Sequence, residues 1–284
     1  MPALIALALL LAGTAAAKAH GGDPHGAGFA WSFDPLVVAL LATSAGLYAT
    51  GTLRLWRRAG AGRGISPARA ASYAAGWLVL AGALLSPLHA LGEHVFTAHM
   101  VEHELVMAVA APLLALSRPL GAFAWALPRR FARRLRLGRL AGMGSATVLH
   151  GLALWLWHIP AAFDAAVRSD ALHRLQHGSF LVTGLLFWHA LVAARAPGRA
   201  VWHLFATMIH MSILGALIAL APDVLYPLQT SGAAAVGLTP LEDQQLAGLV
   251  MWVPAGTVYA GAALLFAGLW ISRTGETAYA PAPR

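Results

Sequence analysis

The stretch Ala98-His-Met-Val-Glu-His-Glu-Leu-Val-Met-Ala-Val-Ala-Ala-Pro-Leu-Leu-Ala-Leu-Ser-Arg118 sets the class of the chain. It is long enough to cross a bilayer as a helix, which takes roughly 20 residues. Its second half is apolar, and its first turns carry His99, Met100, Glu102, His103, Glu104 and Met107. On a helix His99, His103 and Met107 share one stripe, Glu102 falls beside it and Glu104 points away. Ionisable groups at the mouth of a membrane helix are costly unless they pair, bind an ion or reach water.

The rest of the chain agrees with a membrane setting. Its 284 residues are 59% hydrophobic and 11% charged, a membrane balance rather than a soluble one. The net charge of +8 is almost all arginine, interspersed between apolar runs. That placement suits the anionic face of a lipid bilayer and argues against nucleic acid, which needs a basic patch on a folded surface. There is no cysteine, so disulfides and thiolate metal sites are excluded, and any metal site must use His, Met, Asp or Glu.

Residues 1–19 read as a secretory signal peptide, with Leu4–Gly13 as the apolar core and Ala17-Lys-Ala19 as the cleavage site, although no basic residue precedes the core. An uncleaved anchor is the alternative. Residues 20–34 then form a periplasmic Gly/His-rich segment, in which His20 and His25 are either a metal chelate or an inert tail. Seven apolar segments follow, near 35–54, 69–88, 97–117, 143–160, 175–194, 201–221 and 246–271, each close to spanning length. Backbone groups in lipid must be satisfied internally, so the expected fold is all-α: an integral membrane bundle of seven transmembrane helices over residues 35–272, with a cytoplasmic tail at 273–284. Pro112, Pro254 and Gly248 are tolerable inside spans because neighbouring helices compensate or approach closely.

Sixteen of the nineteen basic residues fall in alternate connections and the tail, on one side of the membrane. Excess Lys and Arg marks the cytoplasmic side, so the N-terminus is expected in the periplasm and the C-terminus in the cytoplasm. Seven histidines then crowd the outer face: His89, His94, His99, His103, His158, His173 and His177. Taken singly, His89 and His158 read as wet helix ends. His99 and His103, four apart, can share one ion, as can His173 and His177. Thioether and imidazole without thiolate favour copper over zinc. The expected metal ligands are His99 and His103 with Met107, completed by His94, His173, His177 or Met251, and Glu102 orients a histidine from behind.

Three other patterns stand out in the chain. His99-Met-Val-Glu-His103 matches the H-x-x-E-H of inverted zinc peptidases, with Glu102 as base, but it is short and opens a membrane span. Asp243 is placed to cap the helix it begins, with Met251 two turns on. Trp155-Leu-Trp-His158 fits an interfacial belt. No Gly-rich phosphate loop or nucleophile elbow is present.

Ser86-Pro87, His99-Met100 with His103, Ala111-Pro112-Leu113-Leu114, Trp157-His-Ile-Pro160, Leu186-Phe-Trp188 and Asp243-Gln244 with Met251-Trp252 occur in this order. In that order the chain resembles the CtaG-type cytochrome c oxidase assembly factors, multi-span proteins tied to caa-type oxidases, over roughly residues 30 to 271. The resemblance implies a non-enzymatic inner-membrane protein of the respiratory chain whose partners are cytochrome c oxidase subunits. It implies copper handling, with His99/His103 and Asp243/Gln244 as motif positions, Asp243 and Gln244 supporting the site from behind. Two alternatives stay open: a haem-binding membrane protein with histidines as axial ligands, and a metal-free scaffold for oxidase subunits. Copper import is a variant of the first reading and would need a route past His150 and His210.

Overall fold

The computed structural model describes residues 30–132, 142–194 and 196–278. The expected signal peptide at residues 1–19, His20, His25 and residues 279–284 lie outside them. Every regular element among the described residues is helical. The long helices are α1 (Pro35–Ala59), α2 (Pro67–Leu85), a composite third span, α8 (Met143–Trp157), α10 (Asp170–Val192), α11 (Pro197–Ala219) and α12 (Pro240–Ala278). The composite comprises α4 (Phe96–Glu104), a π-helical turn (Leu105–Ala110) and α5 (Ala111–Leu116). Short helices α3 (Pro87–Gly92), α6 (Pro119–Ala126), α7 (Arg129–Ala132) and α9 (Pro160–Val167) link them.

Among the described residues six helical stretches are long and apolar enough to cross a membrane, and α8 with α9 makes a seventh if that bent pair is one span. Leu78, Trp202, Leu217, Leu264 and Leu265, all more than half exposed, cover the outside. In water such a surface would be an association site, so lipid is its natural solvent. The fold is a helical membrane bundle.

Prolines set the breaks. Pro67, Pro87, Pro119, Pro160, Pro197 and Pro240 each open a helix, where their missing amide hydrogen costs nothing. The fourth apolar segment was expected as one straight helix to residue 160. It instead turns by 76° between α8 and α9. Pro160 forces Ile159 out of the helical region, to ψ 126°.

Pro112 acts differently. It lies inside a span, where its ring would clash with the turn before it. The chain responds with the π turn, in which the Ala111 amide reaches back five residues to Val106 O. The Trp188 indole of α10 donates to Met107 O at 2.9 Å, and Ser72 of α2 donates to Leu113 O at 2.7 Å. Neighbouring helices thus satisfy the carbonyls around the break, as lipid requires.

Helices α11 and α12 form the most extensive pairing in the bundle. A Cβ on Gly248 would lie 2.5 Å from Ala219 N and 2.7 Å from Gly215 O, so the backbones meet through two glycines. This contact holds the start of α12 against the bundle, where it reaches α4. Gly248→Val should therefore lower stability by about 2 kcal/mol or more through overpacking. Gly268→Val, on the same helix and in open space, should be nearly neutral. Thermal unfolding of the detergent-purified variants makes the comparison, and equal midpoints would remove the glycine contact from this account.

Candidate metal centre

The ends of the helices divide the chemistry. Arg54, Arg57, Arg58, Arg69, Arg118, Arg129, Arg130 and Arg199 belong to helix ends or connections at one end of the bundle. At the other end meet α3, the start of α4, the end of α8 and the start of α10. The two basic residues there among the described residues are paired, Arg174 with Asp34 at 2.7 Å and Arg168 with Asp164 at 3.8 Å.

Six histidine rings form one cluster at that end. His99 and His103 of α4 are 4.2 Å apart between ring centroids, and His173 and His177 of α10 are 4.5 Å apart. His99 lies 5.4 Å from His173 and 5.5 Å from His177, and His103 lies 4.9 Å from His177. His89 of α3 stacks on His173 at 5.5 Å, and His158 at the end of α8 is 6.3 Å from His103. Glu102 sits among them at 0% exposure. Its Oε1 is 2.8 Å from His89 Nδ1 and 3.1 Å from His177 Nε2. His89 lies outside the spans. Burial works against its positive charge, but the hydrogen bond and charge of Glu102 outweigh this, with Glu93 and Asp34 adding to them, and its pKa is raised.

The hydrogen bonds leave nitrogen lone pairs pointing inward. His99 Nδ1 donates to Gly92 O at 3.2 Å, His158 Nδ1 to Leu154 O at 2.7 Å and His177 Nδ1 to His173 O at 3.1 Å. A carbonyl can only accept, so Nδ1 carries the hydrogen in each; Nε2 is the base left free in His99 and His158, whereas in His177 it faces Glu102 Oε1. His99 Nε2, His158 Nε2, His173 Nε2 and both nitrogens of His103 are buried without a hydrogen-bond partner. So is Glu102 Oε2. Buried polar atoms without partners are rare because each costs about 1–3 kcal/mol, so this concentration calls for a ligand. Imidazoles fixed through Nδ1 by carbonyls, with Nε2 presented, are the form in which proteins hold metals. Donor atoms of His99, His173 and His177 all lie within 4.8 Å of one another, as do those of His89, Glu102 and His177. Four-coordinate ions with bonds of about 2.1 Å space their ligands about 3.4 Å apart, so small ring rotations suffice in either set.

The expected ligands His99, His103, His173 and His177 are thus together. His94 is not: it is exposed, and its backbone carbonyl accepts from Gly232 N at 2.8 Å. Met107 and Met251 are each 1% exposed within the apolar core. His89 and His158 are not wet helix ends but members of the cluster, His158 at 3% exposure. No periodicity marked them, because each stands on a different short or broken segment. The crowding of histidines on one face was the only signal.

Asp243 does not cap its own helix. Thr239 and Glu242 do that reciprocally, Glu242 Oε2 accepting from Thr239 N and Oγ1 at 2.8 Å and Glu242 N donating to Thr239 Oγ1 at 3.3 Å. Asp243 Oδ2 accepts from Phe96 N at 2.8 Å, and Oδ1 accepts from Thr97 N at 2.9 Å and Thr97 Oγ1 at 2.7 Å. These are orphan amides of α4, the helix that carries His99 and His103, and a carboxylate there also suits the helix dipole.

Gln244 does not reach the histidines. Its Oε1 accepts from Leu225 N and Tyr226 N, and its Nε2 donates to Asp223 O at 3.0 Å. It pins the connection between α11 and α12. From that connection Tyr226 donates its hydroxyl to His158 O at 2.6 Å, and Gln229 donates to Gly92 O beside His99 Nδ1. Burial raises the Tyr226 pKa, keeping the hydroxyl a donor.

Asp243→Ala should destabilise the protein by at least about 2 kcal/mol, because a charged acceptor of several buried bonds is lost. Thr239→Ala should cost about 1 kcal/mol as an ordinary cap. Unfolding midpoints of the two variants give the comparison, and a milder Asp243→Ala would refute the cross-helix cap.

No curated protein and no solved structure matches the chain. The family model for the cytochrome c oxidase caa3 assembly factor (Caa3_CtaG) matches residues 46–273, from the middle of α1 nearly to the end of α12. That span contains the whole histidine cluster and the Asp243 and Gln244 supports, and the chain belongs to the cytochrome c oxidase caa3 assembly factor family.

Proposed function

We propose that this assembly factor holds a copper ion on its histidine cluster at the periplasmic end of the bundle and gives it to a subunit of cytochrome c oxidase as a copper centre is built. The observation that carries the reading is the set of buried imidazole nitrogens without partners on His99, His103, His158 and His173, gathered around Glu102. Copper is favoured over zinc by membership of a family that assembles cytochrome c oxidase, since imidazole donors by themselves take either ion. The arginine-rich end is cytoplasmic on this reading, which faces the cluster to the periplasm.

The donors suit transfer. Neutral imidazoles hold a cation without the charge that would trap it, and Glu102 supplies a single compensating carboxylate. The role is one of binding and delivery, without catalysis. Haem is less well served, since Phe163 packs 5.2 Å from His99 and Phe180 4.7 Å from His103, and a macrocycle on either histidine has to move them.

Copper loading of the detergent-purified protein tests the proposal. Wild type should carry about one copper per chain with no haem band, and a His99→Ala/His103→Ala double variant should lose it, since metal affinity follows ligand identity and count. In cells the double variant should lower oxidase activity while the protein still reaches the membrane. Copper-free wild type after loading, or unchanged copper in the double variant, would overturn the assignment and leave the scaffold role in its place.

A further inference from the structure

We infer that His177 makes the cluster into two alternative seats for one ion, one seat chosen by a divalent cation and the other by a monovalent one. The inference rests on the metal-binding reading above. Two donor sets satisfy the same distance limit, His89/Glu102/His177 and His99/His173/His177, and both use His177. The other two members of each set come from different places, α3 and α4 in the first and α4 and α10 in the second.

His177 Nδ1 is committed to His173 O at 3.1 Å, so only Nε2 can bind metal. One nitrogen lone pair serves one ion. Occupation of either seat therefore empties the other, and an ion passes between them by exchanging two ligands while keeping the third. His177 stands between the seats. Its ring is 6.0 Å from His89 on one side and 5.5 Å from His99 on the other.

The seats differ in charge. Glu102 is a donor only in the first, and its Oε2 is buried and unpartnered. A divalent cation there keeps a net charge of one, whereas among three neutral imidazoles it would keep two in a dry site. A monovalent cation leaves the same single charge on the imidazole seat and needs no carboxylate. Mixed nitrogen and oxygen donors also suit Cu(II), and softer neutral donors suit Cu(I). Beside the imidazole seat, His103 presents two more unpartnered nitrogens and His158 one, so the same ligand chemistry continues as far as His158.

Equilibrium binding of Cu(II) and, separately, of Cu(I) held in a competing chelator tests the inference on the full-length protein. Wild type should bind about one ion in either state, and Glu102→Gln and His89→Gln should each weaken Cu(II) at least about tenfold while leaving Cu(I) nearly unchanged. His99→Ala and His173→Ala should show the reverse pattern, and His177→Ala should weaken both. The Cu(II) electron spin resonance spectrum of Glu102→Gln should change its ligand signature even where some binding is retained. Two ions bound at once, or equal effects of both variant series on both ions, would overturn the two-seat inference while leaving copper binding intact. Failure of wild type to bind either ion would instead remove the reading beneath it.

Discussion

A charged carboxylate buried in a membrane bundle needs partners, and Glu102 is the group around which one end of this bundle is arranged. At 0% exposure its charge must be met by partners, and they come from two other helices: His89 of α3 at 2.8 Å and His177 of α10 at 3.1 Å. Those contacts tie α3, α4 and α10 together at one end of the bundle. Once α4 is fixed in that rotation, His99 and His103 turn inward with Glu102, and the second histidine pair on α10 faces them. The cluster follows from satisfying one buried charge.

The supports of that cluster come from far along the chain. Asp243 of α12 caps α4, Gln244 holds the connection that carries Tyr226 and Gln229, and these reach His158 and Gly92 in turn. The close contact of α11 with α12 through Gly215 and Gly248 sets where α12 begins. The π turn before Pro112 lets the same helix pass through the membrane below the site, with Trp188 completing its backbone bonding. Rigid elements hold the ligands, and few side chains at the site belong to free loops.

Much of this was legible in the residues. Composition and seven apolar runs declared a helical membrane protein, because runs of about 20 apolar residues cross lipid with their backbone bonds satisfied internally only as helices. Spacing of four marked His99/His103 and His173/His177 as pairs, because neighbours on a helix face need no tertiary information. Ordered short motifs carried the family. His89 and His158 escaped, because a histidine on its own short segment has no periodic partner. The role of Asp243 was misplaced for a related reason: a cap on its own helix is the local reading, and Thr239 with Glu242 had already filled that place.

The sequence by itself determined the class, the helical content, the arginine end, the histidine-rich end and two histidine pairs, all of which depend on composition and on periods of a few residues. Only the tertiary structure decided which pairs meet, that Glu102 joins His89 to His177, that His94 stays outside, and that Asp243 serves α4. Those facts depend on helix rotation and on contacts across more than a hundred residues, as between Phe96 and Asp243. Helix rotation is set by packing and by the need to satisfy every buried polar group at once, and no local stretch of sequence encodes that sum.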